Sequence, residues 1–428
     1  MNEALITKLA YVNPPFGKPV RNADRVSFIS MSDVSERGGL KSSHSVLFGA
    51  VKIGFTRFQD GDVLFAKITP CMENGKGALA VGLESGLGCG STEFHVLRAK
   101  DGNSGAYIYQ LLQSVAVRQK AEAFMSGSAG QRRVPSSFFT RHTVFAPKPA
   151  IQKKIAAILT SIDTAIEKTE ALIAKYQQIK AGLMHDLFTR GVLPNGQLRP
   201  PREQAPELYQ GTAVGWIPVE WSFTTCEAVC ERIIDCKNRT PPETPDGHPA
   251  IRTPNVRNGE FVDKELLFTD ALSYMIWTAR GKPQVGDVVI TREAPVGEVC
   301  MIPERHPEAC LGQRMMLYRP DKEIIDPIYF LFALQSRQIQ NRLDLISGGS
   351  TVGHVRVGDI RSLWMFMPKS KDEQKRIAGA LFQATERLVA EEAQRDKLQM
   401  QKLGLMQDLL TGKVQVKVHE PAPEPLHA

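Results

Sequence analysis

Along residues 151–192, IQKKIAAILTSIDTAIEKTEALIAKYQQIKAGLMHDLFTRGV, apolar positions recur at alternating steps of four and three. Ile155, Leu159, Ile162, Ile166, Ile173, Tyr176, Leu183 and Leu187 form one seam, interrupted at Thr169 and Lys180. That spacing puts the side chains on one helical stripe, and a sustained heptad stripe requires another helix against it. The stretch is rich in Ala, Leu, Ile, Lys and Gln, has no Pro, and has Gly182 as its interior glycine. Helix propensity is therefore favourable throughout. From Ile155 to Leu187 such a helix rises roughly 48 Å, more than a helix inside one small domain needs.

The partner helix lies in the same chain. Residues 374–414 align with 152–192 at a constant offset of 222, with 17 of 41 positions identical. The seam returns as Ile377, Leu381, Ala384, Leu388, Leu398, Leu405 and Leu409. Lys180 recurs as Lys402, and the ending Gly-Leu-Met-x-Asp-Leu-x-Thr recurs intact. Generic core helices share spacing but not identities in register, so this is an internal repeat of about half the chain. Glu391 and Arg395 weaken the second seam.

The segments before each helix run in a common order. In the first, Arg25–Val34 alternates as a strand, Gly61–Ile68 is a turn feeding a strand, 106–124 has a helical period, and 126–133 is a small, basic loop. In the second, Ala250–Val256, Gly286–Ile290, the helix around Ile328–Arg342 and the loop Ser347–His354 follow in the same sequence. Short strands with a few helices predict an α+β fold class for each. The order predicts head, long helix, head, long helix: two divergent α/β-type heads on a repeated helical scaffold. The expected boundaries are 1–148 for the first head, 149–192 for the first helix, 193–215 for a turn-rich linker, 216–368 for the second head, 369–414 for the second helix and 415–428 for a disordered tail.

Composition adds limits. The 428 residues suffice for two or three cores, and 42% hydrophobic with 23% charged residues is ordinary for a soluble protein. No apolar run approaches the roughly 18 residues of a membrane span. The first residues lack a secretory apolar core, which argues for the cytoplasm. Seven irregularly spaced cysteines do not form a disulfide framework. Cys226, Cys230, Cys236 and His248 lack the paired spacing of a zinc site and read as packed thiols. The net charge of +7 is uneven: residues 1–150 carry +7 and residues 193–372 carry −2. A basic first segment suits a polyanion. The second would have to bind one through local placement of its arginines.

One motif looks catalytic. Asn13-Pro-Pro-Phe16 matches the tetrapeptide with which adenine amino-methyltransferases grip a flipped base. Such an enzyme also needs a cofactor strand ending in a Gly-rich turn. Gly82–Gly90 is Gly-rich but lacks a surrounding strand-turn-helix unit, so an entry turn fixed by proline is the preferred reading. Phosphate-loop, zinc-hydrolase and serine-hydrolase signatures are absent from the sequence.

Two divergent domains separated by two similar long helices resemble the specificity subunit of type I restriction–modification systems. The resemblance is carried by the Gln152-Lys-Lys-Ile-Ala and Gln374-Lys-Arg-Ile-Ala starts and by their shared Leu-Met-x-Asp-Leu-x-Thr ends. It is carried also by Val26–Val34, Gly61-Asp-Val-Leu-Phe65, Gly286-Asp-Val-Val-Ile290, the loop at 348–351 and Gly215-Trp-Ile-Pro218. Asn-Pro at the head of the first domain is also usual in that family. A departure is that little precedes Asn13, whereas a longer lead-in to the second head starts at Trp216.

The resemblance implies a non-catalytic DNA-binding subunit. Each head would be a target recognition domain for one half of a split double-stranded DNA sequence. The two long helices would form an antiparallel coiled coil that relates the heads by an internal pseudo-twofold and sets the spacing. Its partners would be two modification (methyltransferase) subunits and the restriction (translocase/nuclease) subunits. The chain would hold no cofactor, with S-adenosylmethionine, ATP and Mg bound by those partners. Phosphates need Lys or Arg, and base edges need Arg, Asn, Gln, Ser or Thr. On that basis the candidate DNA-binding residues are Lys67, Asn74, Lys76, Ser128, Gln131, Arg132 and Arg133 in the first head. In the second they are Arg252, Arg292, Arg314, Ser350, Thr351, His354 and Arg356. Two other readings stay open: an adenine methyltransferase using Asn13–Phe16, which cofactor binding by the chain alone would reveal, and a coiled-coil scaffold without DNA readout.

Overall fold

The computed structural model describes residues 3–417 except Phe16, Lys18, Ala129, Val214 and 349–352. Two compact units are present, one formed by 1–170 with 393–428 and the other by 171–392.

In the first unit, an antiparallel sheet runs in the spatial order Ala10–Val12, Phe94–Ala99, Val63–Ala66, Gly77–Leu79. In the second unit the order is Cys230–Asp235, Met315–Pro320, Val288–Arg292, Val296–Met301. The register also agrees: Val63 lies opposite Leu97 and Ala66 opposite Phe94, as Val288 lies opposite Tyr318 and Thr291 opposite Met315. A second sheet contains a parallel pair, Arg25–Ile29 with Leu87–Gly90 in one unit and His248–Ile251 with Cys310–Leu311 in the other. The first unit adds Thr56–Gln59 to that sheet. The two lead-ins also correspond: Glu3–Leu5 pairs with Thr143–Phe145 as Trp221–Thr225 pairs with Trp364–Pro368. The second unit further carries a hairpin, Tyr209–Thr212 with Gly215–Pro218.

The repeated Gly-Asp-Val is explained by packing. Gly61 and Gly286 have φ of 87° and 90°, so a side chain there would be strained. Asp62 and Asp287 are buried, accept from the Gln59 and Gln284 amides, and each makes two hydrogen bonds to an arginine across the sheet, Arg98 and Arg319. These ion pairs are internal, so removing either partner leaves a buried charge.

Each helical stretch expected as one element is two. Gly105–Gln113 and Val115–Ala123 meet at Ser114, and Pro327–Gln335 and Arg337–Ile346 meet at Ser336. Both serines have extended backbone, with ψ of 142° and 147°. Ser114 Oγ donates to the Leu111 carbonyl and accepts from the Val117 amide, closing one helix and opening the next. Hydrophobic period does not distinguish one helix from two that share a face.

The long helices are Pro149–Thr189 and Lys371–Leu409. In the first unit, Ile155 and Leu159 share a core with Met406, Leu409 and Leu410, while Asp163 pairs with Lys402 at 2.6 Å. Ascending one helix is therefore descending the other. In the second unit, Leu187 shares a core with Ile377 and Leu381, and Arg387 donates to the Tyr176 hydroxyl at 3.0 Å, again antiparallel. Ile166 and Ile173 are buried; Ile162, Leu183, Leu388, Leu398 and Leu405 are half-buried. Both interruptions of the first seam have partners: the Thr169 hydroxyl donates to the Ala165 carbonyl, and Lys180 lies 5.9 Å from the Phe332 ring centre; Asp163 also accepts from Gln110. Burial lowers the Lys180 ammonium below its ordinary range.

A buried glutamine ties each helix to its head. Gln152 accepts from the Ser104 amide and donates to Asn103 and to the Pro147 carbonyl. Gln374 accepts from the Asp326 amide and donates to the Ile324 and Pro368 carbonyls.

Candidate nucleic-acid interface

Three backbone segments meet at the end of the central sheet in each unit. In the first, the Lys67 amide donates to the Glu93 carbonyl at 2.9 Å and the Val134 amide donates to the Lys67 carbonyl at 2.8 Å. In the second, Arg292 donates to the Arg314 carbonyl at 2.9 Å and Val355 to the Arg292 carbonyl at 3.1 Å. Bridges Ile68↔Arg133 and Glu293↔His354 complete the two junctions. By register, Lys67 corresponds to Arg292, Ile68 to Glu293, Glu93 to Arg314 and Arg133 to His354. A cis proline follows in both, Thr69-Pro70 and Ala294-Pro295.

The side chains on this common frame differ. In the first unit Arg133 donates through Nε and Nη2 to Glu93, and Arg132 pairs with Glu73 at 3.4 Å. Hydrogen bonding to Arg133 holds the Glu93 carboxyl below its usual range and raises the guanidinium. In the second unit the acid sits on the other segment: Glu293 pairs with Arg314 Nε at 2.9 Å and with His354 Nδ1 at 2.6 Å. Arg314 is in the left-handed region, φ 72°.

Of the residues picked from the sequence, Lys67, Ser128, Gln131, Arg132 and Arg133 come together at the first junction. Asn74 and Lys76 occupy the turn after Pro70 but are engaged elsewhere, Asn74 with Glu36 and Lys76 with the Met31 carbonyl. Arg118 braces that turn from below, donating to the Met72, Gly75 and Lys76 carbonyls; burial lowers its guanidinium to about 10. At the second junction Arg314 and His354 are exposed, and Arg356 is exposed at the start of Val357–Arg361. Arg292 is buried beneath them. Arg252 stands one segment away, its guanidinium donating to the Glu265 carbonyl. Ser350 and Thr351 lie outside the described residues, as do Phe16 and residues 418–428 of the tail. The acids Glu73, Glu93 and Glu293 are not singled out by the sequence. The available signal is a proline nine residues after each Gly-Asp-Val glycine, at Pro70 and Pro295.

Asn13, which opens the catalytic-looking motif, is engaged by the fold. Asn13 Oδ1 accepts the Val96 amide at 2.9 Å, Nδ2 lies 3.2 Å from His95 Nδ1, and the Asn13 amide donates to the Val96 carbonyl. The Asn13 side chain is thus tied to the Phe94–Ala99 strand through both its oxygen and its nitrogen, the role of a structural turn residue. Gly88 and Gly90 are sheet residues: a Cβ on Gly88 would meet the Phe58 ring at 2.2 Å. Cys226 is fully buried, and burial pushes its thiol up to about 12.

Two α/β units with one sheet order, one register and one junction pattern, each resting on paired long helices, define a duplicated architecture. The chain belongs to the type I restriction modification DNA specificity domain family, whose model matches residues 15–178 and again 219–400. It is 34% identical over 186 residues to the EcoEI specificity subunit of Escherichia coli, covering 40% of this chain and 31% of that protein. It is 22% identical over 362 residues to the putative MjaX specificity subunit of Methanocaldococcus jannaschii, covering 83% and 79%. The match to EcoEI thus spans about a third of that relative's length. Among solved structures, the S subunit from M. genitalium aligns over 96% of both chains, at 14% identity and a TM-score of 0.57. A chain from a study of complex assembly and conformational transition of the type I R-M system covers 96% of this chain and 98% of its own, at 17% identity and a TM-score of 0.51. Both share the fold. Among the described residues, no helix is long and apolar enough to cross a membrane.

Proposed function

We propose that this chain is the DNA sequence-specificity subunit of a type I restriction–modification complex. Each head reads one half of a bipartite target, and the paired helices space the halves and dock two modification subunits. The chain itself catalyses nothing. Methyl transfer with S-adenosylmethionine belongs to the modification subunits, and ATP- and Mg-dependent restriction to the restriction subunits. The observation that carries this reading is the common junction. One backbone hydrogen-bond pattern, repeated in two units, displays different basic and polar side chains in each, as two readers of different sequences require. Engagement of Asn13 with the Val96 strand argues against the methyltransferase alternative.

The test is genome-wide mapping of adenine methylation in cells with and without this chain alongside its modification subunits. A split motif that vanishes with the chain is expected. Exchanging residues 216–368 for the corresponding head of a relative should change one half of the motif and leave the other half and the gap intact. Change in both halves would refute the assignment of one head to one half-site.

A further inference from the structure

Arg133 and Arg314 sit on different segments of their junctions, and each has a glutamate against its Nε, Arg133 through hydrogen bonds and Arg314 through an ion pair. Glu93 occupies the Nε side of Arg133, with Nε to Oε2 at 3.0 Å and Nη2 to Oε1 at 2.9 Å. Glu293 occupies Nε of Arg314 at 2.9 Å and is itself braced by His354. The guanidinium side chains are 42% and 43% exposed, their carboxylates 24% and 22%. Carboxylate contact on the Nε side leaves the terminal Nη1–Nη2 edge as the part of the fork available to a ligand. In Arg133 that edge is further steadied by Nη1 donating to the Gln131 carbonyl at 3.3 Å.

Two kinds of acceptor on DNA fit such an edge, and the charge balance separates them. An Arg–carboxylate pair is nearly neutral, so it contributes little of the counterion release that drives phosphate binding. What survives neutralisation is direction: two parallel donors fixed in one plane. Guanine O6 and N7 accept that pair in the major groove. A fork already held by a carboxylate also loses less side-chain freedom on binding than a loose one.

We propose that Arg133 and Arg314 each read a guanine, one in each half-site, and that Glu93 and Glu293 are positioning residues that aim them. This rests on the reading of the chain as a specificity subunit. By register Arg133 corresponds to His354 and Arg314 to Glu93, so the two guanines fall at different places within their half-sites. Phosphate attraction is left to other basic side chains such as Lys67 and Arg356.

The experiment uses the full chain co-expressed with its modification subunits in cells free of other adenine methylation, followed by sequencing of the methylated motif. The variants are Glu93→Gln, Arg133→Lys, Glu293→Gln and Arg314→Lys. The wild type is expected to give a split motif with a guanine in each half. Each first-unit variant should relax one guanine in one half, by roughly tenfold to a hundredfold in preference over other bases, with the other half untouched. The second-unit variants should do the same in the other half. Where a Gln variant melts below the wild type, the Lys variant, which keeps the charge, carries the test. A motif unaltered by all four substitutions overturns the proposal. So does a uniform loss of methylation at every site in a variant with wild-type melting, the signature of a phosphate contact, and so does a half-site lacking guanine. Absence of any split motif in the wild type would instead remove the functional reading itself.

Discussion

The two units share a frame and differ in what they mount on it. Sheet order, strand register and the three-segment junction agree, and the residues kept in both, Gly61 and Gly286, Asp62 and Asp287, Gln152 and Gln374, are structural. At the junction surface the correspondence changes charge, with the acid Glu93 answering the base Arg314 and the apolar Ile68 answering the acid Glu293. Backbone hydrogen bonds fix the frame and place no demand on side-chain identity there, so the surface is free to diverge. Divergence also reaches the interior. Glu373, at the start of the second long helix, is buried with Arg199 and accepts from Trp221 Nε1 and the Val192 amide; the corresponding first-unit residue is Ile151.

The shared ion pairs offer the strongest test of equivalence. Asp62→Ala and Asp287→Ala should each destabilise their own unit by about 3–5 kcal/mol, since each leaves an arginine largely buried without its counter-charge. Hydrogen exchange at Val63–Ala66 and at Val288–Arg292 reads the two effects separately. A large loss in one unit and none in the other would break the equivalence.

The unshared pair tests the difference. Glu373→Ile places the first unit's residue in the second and leaves the buried Arg199 with only the exposed Glu220 as counter-charge, with an expected cost of about 3 kcal/mol. Adding Arg199→Met should recover much of it, because two buried charges replaced by apolar groups are often near neutral. A double variant as unstable as the single one, by urea midpoint, would show that the two sites do not act as a pair.

Smaller effects are expected from the glutamines. Gln152→Leu and Gln374→Leu each leave a half-buried backbone amide, of Ser104 or Asp326, without its acceptor, for a loss of about 1–2 kcal/mol by the same measurement.

Acid separates the units most gently. Asp33 accepts from the Ser30 amide and from the hydroxyls of Ser30 and Ser42. Burial alone would raise its carboxyl, but these donors hold it at about 2, below the ordinary 3.8. Its folded-state value is depressed, so its contribution is present above 3.8 and is lost as pH falls toward about 2. Asn255 makes the corresponding turn in the second unit, accepting from the Arg252 amide, and does not titrate. Protection near Ser30–Asp33, taken relative to the intrinsic exchange rate at each pH, should therefore fall as pH drops from about 3.8 toward about 2, while that near Arg252–Asn255 is unaffected by this turn. Asp33→Asn should abolish the difference.

The amino-acid sequence by itself determined the long helices, their duplication and the order of elements in each head. These are written in local period and in identities at a constant offset, and neither depends on distant contacts. It also marked Gly-Asp-Val and the repeat-opening glutamines without disclosing their purpose. Only the tertiary structure decided that Arg98 and Arg319 complete the aspartates, that Asn13 is spent on a strand, that Arg292 lies beneath its junction, and that Glu93 and Glu293 hold the exposed guanidiniums. Each is a contact between residues tens of positions apart, and it takes its meaning from burial and hydrogen-bond direction. A linear pattern carries neither until strands 63–66 and 288–292 have found their neighbours.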